Sequence, residues 1–473
     1  MSQSHRKSRR LSSKLNSSKP PTAPSISQLS FDVLGLIFEQ ARPDESKASD
    51  QADNKALSRF PYNLAAVCKQ WREVLSLSPG YWVNPTFYVG SIDPTPLHDV
   101  RSFLEWSRDM RITVEVKRSP EAEVTNSDPH EGERTRAVID ALKPHVHRCL
   151  LITFDVIHGS SLPSISRDLF NVSPYLLGLT LRCKSDDGPP ANLEKTGPVQ
   201  ELASQPNFLQ FLLSGHTIHD AIENVPQIFK CLTNAQTLEF CCFDSEKYSE
   251  SPTSNATDLF NAFKYPEALK LGTLHALNIP YETHPKGWPL NLPRAKNILL
   301  SDHNNTTMKT IFEHLDFRAV ETLLIERCPL SNVSITGPRK LFLEGITSDL
   351  VKPLSSWRGS LIQLKDAPTA TDTLLDLFIG QVGSSAVQHV YLHDCPNVSV
   401  NGLQRLCMMR KRPGFVPIMS LSVGGRAPEI DQEDADYLVA LVGQDLTRET
   451  GFFEWKSPIL ESPDSFGDSL RPM

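Results

Sequence analysis

Ten short apolar pairs recur along this chain, each enclosing a single residue and each bounded by Pro, Asn, Gly or Cys. They stand at Leu150-x-Ile152, Leu179-x-Leu181, Leu238-x-Phe240, Leu277-x-Ile279, Ile298-x-Leu300, Leu323-x-Ile325, Leu341-x-Leu343, Ile362-x-Leu364, Val390-x-Leu392 and Leu421-x-Val423. Side chains alternate in direction along an extended strand, so both members of a pair point inward and the middle residue points outward. Counted from the second member, the spacings are 29, 59, 39, 21, 25, 18, 21, 28 and 31 residues. A doubly wound sheet needs strands apolar on both faces and a helix of about ten residues or more at each crossover. Spacings as short as 18 leave little room for that. The pattern predicts a short strand roughly every 20–30 residues, with helical stretches such as Thr371 to Gln381 and Gly402 to Arg410 between. The longer gaps imply a hidden unit or an insert.

Composition limits the alternatives. Of 473 residues, 39% are hydrophobic, which excludes wholesale disorder, and 36 prolines argue for a chain broken by loops rather than long helices. The formal charge of −7 is unevenly spread: residues 1–25 carry six Lys/Arg and no acid, which leaves −13 on the remainder. An acidic body is not the footprint of a nucleic-acid binder. The longest apolar stretch, Cys149 to Ile157, is too short for a membrane span and contains Asp155. Nine cysteines form no CxxC pair, and no secretory apolar segment stands near the start, so the expectation is reduced thiols in the cytoplasm, the nucleus or both.

Residues 1–25 read as a disordered basic tail, in which the cluster His5 to Arg10 fits either nuclear import or simple solubility. Residues 26–88 read as helical. Ser30 is an N-cap for a helix bearing Leu34, Ile37, Phe38 and Ala41 on one stripe, and Pro43 ends it. A second helix from Asn63 carries Leu64, Val67, Cys68, Trp71, Val74 and Leu75 along one face and stops at Ser78-Pro79-Gly80. Residues 89–428 hold the strand pairs, and 429–473 form an acidic capping helix with a frayed tail.

The helical stretch resembles the F-box. Gln28 to Phe38 is similar to that family's opening motif, Asn63 to Val74 to its Leu-x-x-Val-Cys-Lys-x-Trp-Arg signature, and Ser78 to Trp82 to the Pro-x-Leu-Trp tail. Ser30 stands where the family has Pro, Asp32 where it has Glu, and residues 42–61 lengthen the first loop. Val390 to Ser399 and Leu323 to Leu330 resemble cysteine-containing leucine-rich repeats, in which a Cys lies buried under the turn after the strand. The fold expectation is thus α+β to α/β: a small N-terminal helical F-box-like module followed by an irregular leucine-rich-repeat-like α/β solenoid.

The resemblance implies a substrate-recognition adaptor of a Skp–cullin–F-box ubiquitin ligase, with no catalytic residue and no cofactor of its own. Its partners would be a Skp-type adaptor, a cullin-RING ligase reached through it, and an unidentified target protein, with no nucleic acid or membrane involved. Adaptor contacts are expected from Leu29, Ser30, Leu34, Ile37, Phe38, Val67 and Trp71. Trp71 and Leu64, mid-stripe, are placed in the shared core. The target face is expected from the strand middles Glu239, Leu324, Phe342, Gln363 and Tyr391. The alternative is a non-ligase interaction scaffold with a degenerate F-box. Catalytic and metal motifs are lacking: His145-Val146-His147 would splay across a strand, and His216-x-x-His219 would share a helix face without further ligands.

Overall fold

The computed structural model describes residues 29–42, 60–119, 127–190, 205–244, 247–248, 259, 261–272, 274–275, 289–380, 387–426, 428, 430–442 and 446–447. The basic tail, the pair Leu277-x-Ile279 and the segment from Ser457 onward lie outside them. The chain divides into two compact units, Met1–Tyr81 and Trp82–Met473.

The described part of the first unit holds α1 (Phe31–Ala41), the single turn α2 (Tyr62–Ala65) and α3 (Lys69–Ser76). Ser30 starts α1 by accepting a hydrogen bond from the Val33 amide at 3.4 Å. The expected continuous second helix is interrupted. Cys68 is extended, with φ −159°, and separates α2 from α3. Phe38 meets Trp71 edge-to-face at 5.0 Å between ring centres, and Leu34 and Leu75 are fully buried beside this contact's two helices.

The second unit is built on one 14-stranded sheet. Its strands are β1 (Thr86–Tyr88), β2 (Ile112–Lys117), β3 (Cys149–His158), β4 (Gly178–Ser185), β5 (Gln210–Ser214), β6 (Thr237–Cys241) and β7 (Ala268–Leu271). They continue with β8 (Asn297–Ser301), β9 (Thr322–Glu326), β10 (Lys340–Glu344), β11 (Leu361–Lys365), β12 (His389–His393), β13 (Ser420–Gly424) and β14 (Leu446–Thr447). Every strand lies beside its predecessor in the sheet, and every pairing is parallel.

This architecture corrects the expected fold. Instead of a helical F-box-like module followed by a leucine-rich-repeat-like solenoid, the structure shows an α/β fold, one large parallel sheet with helices. The sheet begins at Thr86, inside the stretch assigned to the helical module. Trp82 belongs with it, packing on Phe103 at 4.8 Å and on Trp106 at 4.7 Å, because its indole completes the core under β1 rather than the end of a helical bundle. The helix read as a terminal cap, Gln432–Val442, is followed by β14, which pairs with β13. The crossovers vary from single turns such as Val351–Leu354 to the twelve-residue α4 (Glu131–Leu142), so they share no common unit.

Strand placement explains the uneven spacings. β5 falls in the 59-residue gap, with Phe211 and Leu213 inward. β7 supplies Leu269-x-Leu271 ahead of the pair expected at Leu277. In β3 the residues in register with Leu179 and Leu181 are Ile152 and Phe154, two places beyond the predicted pair. Inward pairs such as Leu323 and Ile325, or Ile362 and Leu364, are fully buried. At about 1.5–3 kcal/mol per buried aliphatic side chain they form the main apolar core of the unit.

Strands β5, β6 and β8–β13 each exit through a left-handed residue: Gly215, Cys242, Asp302, Arg327, Gly345, Asp366, Asp394 and Gly425. The amides of Asp302, Arg327, Gly345, Asp366 and Asp394 then donate to the last carbonyl of the following strand at 2.8–3.1 Å. Those bonds extend the ladder by one rung and turn the chain off the sheet, which offsets the cost of positive φ at non-glycine residues.

Candidate functional site

Two surfaces contain the candidate residues, one in each unit. On the first, α1 carries large apolar residues on both its buried and its exposed side, with Asp32, Glu39 and Gln40 also exposed. Leu34 and Phe38 face the unit's own core, whereas Val33, Leu36 and Ile37 sit at i, i+3, i+4 on an exposed stripe, Leu36 being 68% exposed. Phe31 (52%), Val67 (56%) and Leu77 (61%) are exposed too. Large apolar side chains clustered on the exposed side of a helix mark an interaction surface.

Of the seven predicted adaptor contacts, Leu34, Phe38 and Trp71 are buried in the unit itself. Trp71 packs on Phe38 inside the unit. Leu64 is half-buried. Ile37 and Val67 are exposed, Ser30 is exposed and occupied as a cap, and Leu29 is half-buried with its carbonyl accepting from Gln70 Nε2 at 3.0 Å. Phe31, Val33, Leu36 and Leu77 escaped sequence reasoning. The available signal was that α1 carries more large apolar residues than one helical stripe can hold.

The second surface is a transverse row on the sheet. Register brings Leu212, Glu239, Lys270, Leu299, Leu324, Phe342, Gln363, Tyr391 and Ser422 side by side across β5–β13. All five predicted target-face residues are in it. They are less open than an outward position suggests: Glu239, Leu324, Phe342 and Gln363 are buried and Tyr391 is half-buried. Parallel strands stand about 4.8 Å apart, so neighbouring side chains in a row cover one another.

The row changes character along its length. Glu239 is flanked by Lys270 at 3.1 Å and Arg182 at 3.6 Å. Leu299, Leu324 and Phe342 then form an apolar cluster, 3%, 6% and 7% exposed, against which Leu361 packs. Two residues further along the strands, Glu326 and Glu344 are register partners. Glu344 is paired with Lys365 at 2.8 Å. Glu326 lies 3.7 Å from Arg327, whose guanidinium is committed to both carboxylate oxygens of Asp302 at 2.6 Å. Burial, and then the neighbouring Glu344, push the Glu326 carboxyl above its ordinary range.

No comparable assembly arises from the histidines. His145 and His147 lie in the short turn Lys143–Arg148, not on a strand as predicted, and burial beside Arg148 lowers the His145 pKa to about 4. His216 is buried, with Nδ1 2.7 Å from the Gly159 carbonyl, while His219 stacks on Tyr248. Cys328 and Cys395 are buried under strand exits, Sγ 3.1 Å from the Glu326 carbonyl and 3.4 Å from that of His393, and burial raises both thiols to about 11. Among the described residues no group of three or more His, Cys, Asp or Glu is placed to hold a metal ion, and no helix is long and apolar enough to cross a membrane. Compared with known proteins, the sequence matches no family model and no curated relative.

Proposed function

We propose that this chain is a substrate-recognition adaptor subunit of a Skp–cullin–F-box type ubiquitin ligase. The N-terminal helices bind the Skp-type adaptor, and the sheet holds the protein to be ubiquitinated. The observation that carries this reading is the exposed stripe Val33, Leu36 and Ile37, with Phe31 and Val67, on a unit whose described residues form three short helices and whose sequence resembles the F-box. Covering such a stripe is worth about 1.5–3 kcal/mol per large side chain, enough to give a small unit a stable partner.

In this role the chain contributes proximity rather than chemistry. Holding a target lysine near a charged conjugating enzyme replaces a bimolecular encounter by an intramolecular one. The basic cluster His5 to Arg10 is compatible with work in the nucleus as well as the cytoplasm. Tagged full-length protein is expected to co-purify the Skp-type adaptor together with cullin, and Ile37→Asp with Val67→Asp to lose both. Recovery of neither from the unaltered chain refutes the reading.

A second reading, a non-ligase interaction scaffold, is favoured by the burial of Leu34, Phe38 and Trp71, which leaves fewer contact residues than the resemblance implies. Recovery of the adaptor without cullin would select it.

A further inference from the structure

The two rims of the strand array differ in charge. Strands β8–β13 pair parallel throughout, so the turns that enter them line one rim and the left-handed exits line the other. Backbone bonds of 2.7–2.8 Å join the entry turns: Lys340 donates to the Glu321 carbonyl, Ser360 to that of Arg339, Gln388 to that of Ser360 and Met419 to that of Gln388. At the exits acids outnumber bases, Asp302, Glu326, Glu344, Asp366 and Asp394 standing against Arg327, Lys365 and Arg426. The entry rim is the reverse.

Each acid along the entry rim already has a base. Lys296 meets Glu267 at 3.2 Å, Arg318 meets Asp316 at 2.6 Å and Lys340 meets Glu321 at 3.0 Å. Lys340, helped by Arg339 and Lys296, holds the Glu321 carboxyl below its ordinary range. Four exposed arginines are left over. Arg294 and Arg358 donate to backbone carbonyls, those of Thr233, Ser355 and Trp357, which leaves their charge uncompensated. Arg339 and Arg412 form no side-chain hydrogen bond or ion pair among the described residues. Helix C-termini favour bases. However, no helix lies between β9 and β10, and only the single turn Val351–Leu354 lies between β10 and β11, so that effect does not account for Arg339 or Arg358.

We infer that the entry rim across β8–β11 binds an acidic segment of another protein, with Arg294, Arg339 and Arg358 as its carboxylate contacts. A guanidinium takes a carboxylate through two parallel N–H donors, which suits Asp and Glu side chains. Three inter-strand steps of about 4.8 Å span about 14 Å, the reach of about four or five extended residues. A nucleic acid is the less favoured polyanion. No aromatic side chain between residues 289 and 361 is exposed for bases to stack on, and a net charge of −7 repels a long phosphate backbone. The inference does not depend on which partner α1 takes.

The probe is a fluorescein-labelled peptide of about ten residues, alternating Glu and Gly, titrated into the full-length chain. Binding is expected at about 50 mM salt and should weaken severalfold at about 200 mM, because exposed charges are screened. Arg339→Glu combined with Arg358→Gln should weaken it about tenfold or more, as for loss of two charge contacts and gain of a like charge. Arg426→Glu, on the exit rim, should leave it unchanged. Melting curves check that the variants are folded.

No binding of the acidic peptide at the lower salt, no effect of Arg339→Glu with Arg358→Gln, or equal weakening by Arg426→Glu would overturn the inference. So would tighter binding of a single-stranded oligonucleotide of equal charge, which would make the rim a nucleic-acid surface. The ligase reading stands or falls separately, on adaptor capture, which these variants should leave at the wild-type level.

Discussion

Leu34 and Leu36 stand two residues apart on α1 and should respond oppositely to truncation. Leu34 is fully buried against the unit's core, whereas Leu36 is 68% exposed. Leu34→Ala removes the transfer free energy of a buried leucine and leaves a cavity, together about 2.7–5 kcal/mol. A unit of about eighty residues has only about 3–5 kcal/mol to lose, so Leu34→Ala should open it globally. Leu36→Ala touches no core atom and should change stability by less than about 0.5 kcal/mol.

Hydrogen exchange of the α1 amides in the full-length chain reads this directly. Each 1.4 kcal/mol of lost opening free energy is about tenfold in exchange rate. Leu34→Ala should therefore accelerate exchange by about a hundredfold or reach the unprotected limit, and Leu36→Ala should leave it near the wild-type value. Adaptor capture should fall in both, for different reasons: Leu34→Ala by unfolding the surface, Leu36→Ala by removing part of it. Equal acceleration in the two variants would show that α1 does not present two distinct faces and would refute the division between core and contact residues.

Two further outcomes follow from the sheet unit. The buried carboxylate of Asp168 receives Arg136 at 2.8 and 2.9 Å and Lys143 at 2.9 Å; burial opposes its charge, but these donors outweigh burial and hold it well below the ordinary range. Its contribution to stability is complete above the unfolded value of about 3.9 and is lost as pH falls toward the lower folded value. Asp168→Asn should therefore lower the thermal midpoint at pH 7 and flatten its fall below about pH 4, a loss of about 3–5 kcal/mol at neutral pH for a broken buried pair; an unchanged midpoint would contradict the network. Burial raises the thiol pKa to about 11 for Cys328 and Cys395 and to about 12 for Cys407, so mass-mapped labelling by a thiol reagent at pH 8 should spare all three until the sheet unfolds.

The alternation Leu-x-Ile carried the strands from β8 to β13, because there each inward pair is Leu, Ile or Val and the crossovers are short. Elsewhere the same physics was masked. Phe211 and Leu213 of β5 flank Leu212, which faces the other side and is buried too, so the three read as a continuous apolar run rather than an alternation. β2 alternates cleanly through Ile112, Val114 and Val116 yet lies before the first predicted pair. The left-handed strand exits carry only a partial signature: Gly or Asp fills six of the eight, and Cys242 and Arg327 fill the other two. On the helices, the pattern located the apolar residues of α1, but which of them meet Trp71 and which face solvent depended on how α3 is positioned beyond the break at Cys68. The row of candidate target-face residues was legible as a set of strand middles. Its division into charged, apolar and carboxylate-edged parts required the register.

The most direct test of the proposed role is a titration of the intact chain with purified Skp-type adaptor, alongside the Leu36→Asp/Ile37→Asp variant. Both substitutions are at exposed positions of α1 and leave the buried residues Leu34, Phe38 and Trp71 untouched. Saturable binding by the unaltered chain, weakened about a hundredfold or more in the variant, is the result predicted for an interface centred on that stripe. No binding by the unaltered chain, or equal binding by a variant with wild-type α1 exchange, would contradict it.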